Sequence, residues 1–168
     1  VNIETVEING QLYAPLPARV DAGLTRCHVV KAASTQRYTL GLAYPALRPD
    51  VAIARDGHRD FCAPEALEKC AWEYMTRYRE VGMFHKEQTT GAAEVVESYI
   101  WRAPDWTISS PMDGTQVVIK AGDWLLGTVW DTEGWDLVQK GLIRGFSPQG
   151  GARRAKPTPE RLAQLREE

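Results

Sequence analysis

Three residue types that cooperate in nucleophilic catalysis occur at strand-like positions. His85 follows Val81-Gly82-Met83-Phe84, Glu97 lies within Ala93–Trp101, and Ser147 follows Leu142-Ile143-Arg144-Gly145-Phe146. A serine alcohol is a poor nucleophile at neutral pH. An imidazole held by a carboxylate is suited to taking its proton, and such sets are defined in space, so their distance along the chain is no obstacle. Ser147 stands between an apolar run and Pro148-Gln149-Gly150-Gly151, which can continue neither a helix nor a sheet ladder. The glycines at 145, 150 and 151 give backbone freedom for amide N–H groups to converge on an oxyanion. Taken alone, Gly-Phe-Ser-x-x-Gly is more often a polar turn with a solvated serine. Pattern alone leaves catalysis level with a non-catalytic β-rich domain.

The other histidines carry less. His28 lies beside Cys27 before Val29-Val30 and reads as a strand-edge or partly buried residue, while His58, next to Gly57 in a charged run, reads as a solvated loop residue. A metal site through His85 and its neighbours lacks HExxH, with only Glu87 nearby, so neither metal nor cofactor is expected.

Elements must position these groups. Residues 1–34 read as an accessory segment with a small hairpin around Asn9-Gly10, and Lys31-Ala32-Ala33-Ser34-Thr35 as a connector. The alternation Tyr38–Tyr44 predicts a core strand. Pro64, with Glu65 and Glu68 near the positive end, opens a helix whose stripe Leu67, Cys70, Ala71, Tyr74, Met75 and Tyr78 should run to about Arg79. Val81–Glu87 predicts a strand delivering His85. In a strand over Ala93–Trp101, period two puts Val95, Glu97, Tyr99 and Trp101 on one face. Glu97 must then pair with a donor or reach water, because an unpaired buried charge is expensive. Pro104–Gly114 reads as a flexible flap, Val117–Lys120 and Asp123–Trp130 as strands, and Asp131–Gly141 as a helix capped by Asp131 or Thr132 and stopped by Gly141. Leu142–Ser147 is the expected last strand, and a charged tail, 152–168, follows the main body at 35–151.

Length and charge bound the class. The 168 residues allow one domain with a proper core, and 43% hydrophobic with 25% charged residues is ordinary for a globular protein. A net charge of −2 leaves no basic footprint for nucleic acid. No segment approaches a bilayer span and no signal-peptide plan is present, so no membrane association and a cytoplasmic setting are expected. Three cysteines, Cys27, Cys62 and Cys70, form no even framework and no CxxC pair, so reduced, mostly buried thiols are expected.

Pro64–Ala71, Val81–Lys86, Val95–Tyr99, Gly122-Asp123-Trp124 and Trp135–Ser147, in this order, resemble the XkdF-type phage serine protease family, which is allied to the prohead (capsid maturation) proteases of tailed bacteriophages. The resemblance covers roughly residues 37–151. It implies an α+β, β-rich fold, a herpesvirus-assemblin-like β-barrel with flanking helices, and a serine endopeptidase. Such an enzyme cleaves scaffold and major capsid precursor proteins inside the immature prohead, in the host cytoplasm. Position by position, Ser147 matches the nucleophile and His85 the base. Glu97 matches an acidic residue of the family's strand block and is taken as the third member, with Asp123 and Glu94 as rivals. Pro148 has no N–H to donate, which leaves Gly150 and Gly151 as the oxyanion candidates. Arg153 and Arg154 are also available, although a basic pair is more commonly a solvated tail. The resemblance leaves room for a homodimer and for self-processing of the tail. The alternative is a non-catalytic capsid-assembly or portal-associated module that keeps the protease fold.

Overall fold

A computed structural model describes residues 6–8, 11–13, 27–49, 59–86, 89–150 and 153–164. In chain order these form β1 (Val6–Ile8), β2 (Gln11–Tyr13), β3 (Val29–Ala33), β4 (Tyr38–Tyr44), α1 (Pro64–Glu73), β5 (Glu80–Val81), β6 (Ala93–Ile100), β7 (Trp106–Ser109), β8 (Gln116–Ile119), β9 (Trp124–Trp130), α2 (Thr132–Gln139) and α3 (Pro159–Gln164). Five strands make one sheet in the order β3-β4-β9-β6-β5, antiparallel throughout. Of its inner strands β4, β9 and β6, the first two are almost wholly buried, as strands covered on both faces must be.

Alternation then sorts the side chains. Leu40, Leu42 and Leu125 join Val30, Val117 and Ile119 on one face, beneath the hairpin that β7 forms with β8. Ala43, Trp124 and Leu126 join Leu67 and Ala71 of α1 and Ile100 on the other. A third cluster, with Val81, Met83, Ala93, Trp130, Leu137, Val138 and Ile143, closes the end of the sheet against α2. Between β4 and β9, the fully buried hydroxyls of Thr39 and Thr128 are 3.0 Å apart, and Trp130 Nε1 donates to Thr39 Oγ1 at 2.8 Å. Each buried polar atom of this trio has a partner, which is the condition for keeping it in a core.

The β-rich α+β expectation holds, but the strands of the described residues form open sheets rather than a barrel, with β3 and β5 as the edges of the larger one. The expected connector at 31–35 is strand β3 followed by a 3₁₀ turn at Ser34–Gln36. Part of the expected flap at 104–114 is β7, held in register by Trp106↔Ile119 and Ser109↔Gln116. The strand expected at 81–87 stops at Val81, because the next residues turn. That expected at 142–147 makes only one bridge, His28↔Gly145. In β6 the register slips between Val95 and Glu97, a bulge that inserts one residue and inverts the alternation beyond it. Val95 therefore faces the core with Ser98 and Ile100, while Glu97 and Tyr99 are exposed.

The expected small N-terminal hairpin pairs as β1 and β2, Ile8 opposite Gln11. Asn9-Gly10, His58, Glu87 and Gly151 lie outside the described residues. α1 continues through a wider π-helical turn, Tyr74–Tyr78, and Arg79 in the left-handed conformation ends it. Asp131 caps α2 by accepting from Gly134 N at 2.6 Å, and Gly141 (φ 68°) closes it. The thiols are less buried than expected: Cys70 is exposed, and Cys27 and Cys62 are half-buried.

Asp123, fully buried, accepts from the backbone N–H groups of Ala46 and Lys120, both at 2.9 Å, and pairs with Arg48. Removing one member of such a pair strands the other. Asp123→Ala should therefore destabilise the fold by about 3–5 kcal/mol in denaturant titration. Tyr74 is pushed up to about 12 by burial and, secondarily, by Glu80, and Tyr38 is pushed up by burial and by donating to Glu97. The unfolded chain ionises these phenols near about pH 10 while the folded chain still holds their protons, so stability should fall as pH rises above that point. Tyr74→Phe should flatten the fall in melting temperature over this range, and a wild-type slope in the variant would contradict the assignment.

Candidate active site

The candidate base, His85, sits in a turn. After Val81 the chain doubles back, and Phe84 and His85 both take φ 55°, a left-handed conformation that costs non-glycine residues roughly 1–2 kcal/mol each. One buried side chain over-determines this turn. Thr89 Oγ1 accepts from Met83 N at 2.6 Å and lies 2.8 Å from the carbonyls of both Met83 and Lys86, to which its single proton can donate in alternation. Lys86 N adds a bond to Met83 O at 3.1 Å.

The candidate nucleophile, Ser147, is delivered by a different device. Residues 144–146 lie antiparallel beside the start of β3: Val29 N donates to Arg144 O at 2.9 Å, and Phe146 N donates to Cys27 O at 3.0 Å. A Cβ at Gly145 would lie 1.7 Å from Cys27 O, so only glycine permits the approach. Phe146 then covers Gly41, where a Cβ would be 2.7 Å from its ring. Phe84 and Phe146 both pack against the cluster of Val81, Met83 and Trp130. Each catalytic candidate thus stands one residue beyond an aromatic anchor.

The two devices converge. His85 Nε2 lies 3.0 Å from Ser147 Oγ, within the reach a general base needs. Both residues are exposed. The other ring nitrogen, Nδ1, lies 3.2 Å from Gln149 Oε1. A serine hydroxyl within hydrogen-bond reach of an imidazole can become a nucleophile for acyl transfer.

The sequence-predicted carboxylates are engaged elsewhere. Glu97 accepts from Tyr38 Oη at 2.5 Å, the donor its flank of aromatics demanded, and lies over Gly127, where a Cβ would be 2.7 Å from its Oε2. Its hydrogen-bond partner is Tyr38 rather than His85, and the bulge in β6 is what turns it to that side. Asp123 is locked to Arg48, and Glu94 is exposed on β6 opposite Val129 and Glu80. Gly150 is exposed with open space around it. Arg154 pairs with Asp60 at 2.7 Å, and Arg153 is exposed. Among the described residues, no three His, Cys, Asp or Glu side chains converge as a metal would need, and no helix is long and apolar enough to cross a membrane.

The sequence reading missed Gln149 and Thr89. A readable signal for Gln149 was its place two residues beyond the serine, across a proline. Thr89 gave none, because its role depends on a turn that propensity does not predict.

The profile of a phage family described as "Putative phage serine protease XkdF" matches residues 26–156, a span that includes Ser147, His85 and β3. The chain belongs to this family. It is 35% identical over 117 residues to the Phage-like element PBSX protein XkdF of Bacillus subtilis (strain 168), covering 70% of this chain and 38% of that protein. It is 34% identical over 124 residues to the Uncharacterized protein YqbD of the same organism, covering 74% and 34%. The chain therefore spans little more than a third of the length of these two relatives. No solved structure matches it significantly.

The Gly145 approach gives a direct test. Gly145→Ala should push the segment off Cys27 O and break the His28↔Gly145 bridge, cost about 1–3 kcal/mol of stability as overpacking does, and misplace Ser147. Gly150→Ala, which meets open space, should leave the melting temperature unchanged.

Proposed function

We propose that this chain is the proteolytic part of a phage head-maturation protein, a serine endopeptidase in which Ser147 is the nucleophile and His85 the general base. The observation that carries the reading is the 3.0 Å contact of Oγ with Nε2 between segments far apart in the chain. In the reaction, Oγ attacks the scissile carbonyl carbon as its proton passes to Nε2. The same proton then goes to the departing amine as the C–N bond breaks. Water, deprotonated by the same imidazole, releases the acyl group and restores Ser147.

The open position of the pair suits a protein substrate. A small molecule would leave the site wet, whereas a docked polypeptide excludes water from it and strengthens every polar contact inside. Scaffold and major capsid precursors are the substrates proposed, and an assemblin-like architecture goes with the same reading. Gly150 and Gly151 remain the proposed oxyanion donors, with the tail as a substrate for self-processing.

The test is cleavage of the cognate scaffold or capsid precursor. Ser147→Ala should abolish it and His85→Ala should lower it by about 10²–10⁴-fold. Undiminished cleavage in both variants would remove the assignment, and a wild-type chain that binds the precursors without cutting them would establish the assembly-module alternative.

A further inference from the structure

We propose that Gln149 is the positioning residue of this site: its amide oxygen orients His85 from the place a carboxylate fills in a Ser-His-Asp set. The inference rests on the reading of Ser147 and His85 as nucleophile and base. Gln149 Oε1 lies 3.2 Å from Nδ1 while Ser147 Oγ lies 3.0 Å from Nε2, so one ring is held at both nitrogens by residues two apart on one segment. Pro148 between them explains how. It fixes its own φ and disfavours the helical conformation for Ser147, and in an extended chain side chains i and i+2 project to the same side.

The chemistry follows from the donor inventory. A neutral imidazole has one N–H, and an amide oxygen only accepts. With Oε1 at Nδ1, the proton belongs on Nδ1 and the lone pair of Nε2 faces the serine hydroxyl, which is the tautomer a base requires. When Ser147 gives its proton to Nε2, the ring becomes an imidazolium and the Nδ1–H···Oε1 bond becomes charge-assisted; Gln149 itself loses no proton. An amide in this role has precedent in the Cys-His-Asn sets of papain-like proteases. The carboxylates that could have competed are bound to Tyr38 and Arg48 or stand exposed on β6.

The test reads the ring itself. In nitrogen-15 NMR of the whole chain at about pH 8, where an ordinary imidazole is neutral, His85 should show a protonated Nδ1 and a bare Nε2. Gln149→Leu should move the proton toward Nε2 and lower kcat/KM by up to about 10²-fold, the scale of a misplaced reacting group, without changing the melting temperature, because Gln149 is exposed. Gln149→Glu should place a charge at Nδ1, raise the imidazole pKa and move the acid limb of kcat/KM to higher pH. An unchanged tautomer in Gln149→Leu together with an unmoved acid limb in Gln149→Glu would overturn the proposal. The NMR readout needs no proteolysis, so cleavage that survives Ser147→Ala would sink the protease reading while leaving the orientation of His85 separately measured.

Discussion

The site depends on how closely two backbones can approach. At Gly145 the chain runs against the carbonyl of Cys27 at a distance no side chain tolerates, and the two hydrogen bonds around it are what hold residues 144–146 to the sheet. Without that seam, Ser147 would hang on an irregular segment of several residues, and conformational entropy would spread its hydroxyl over many positions. The histidine turn is the mirror case: strain at Phe84 and His85 persists because Thr89 and the buried Met83 leave the backbone no relaxed alternative. Irregular backbone at both partners is the cost of aiming two side chains at each other from opposite ends of a regular sheet.

Polar groups divide sharply by role. Asp123, Thr39 and Thr128 are fully buried and fully engaged inside the sheet, where they fix the pairing of β4 with β9 and tie the loop around Arg48 to the core. Glu97 serves the outer face through Tyr38 and the space that Gly127 leaves. The His85–Ser147 pair, by contrast, is exposed, with the Gln149 amide at the other ring nitrogen. The carboxylates among these residues are held by structural partners, whereas the His85–Ser147 pair is met at Nδ1 by an amide. A site of this kind gains most from the partner that covers it.

Much of this was legible in the chain. Tyr38–Tyr44, Pro64–Arg79 and Asp131–Gly141 carry strong alternation, an N-terminal proline and a capping aspartate, and each became the element its pattern predicts. The pairing of His85 with Ser147 was also readable, from residue types and from the family's block order. What was not legible shares one cause: it was decided by tertiary contact rather than local preference. The bulge in β6 inverted the face of Glu97, β3 formed because β4 offered it an edge, and Gly145 mattered for a neighbour's carbonyl rather than for its own φ. The period-two argument for Glu97 failed at one inserted residue, which is all a strand needs to exchange its faces.

In the proposed reaction, His85 makes the Ser147 oxygen nucleophilic. Intact-mass measurement after exposure to a fluorophosphonate tests it most directly, since attack by Oγ forms an O–P bond and expels fluoride only if the hydroxyl proton is taken. One adduct is expected, mapped to Ser147, whose rate of formation falls by about 10²-fold or more in His85→Ala. Labelling of Ser147 at equal rates in both proteins, or no labelling of Ser147 in either, would contradict it.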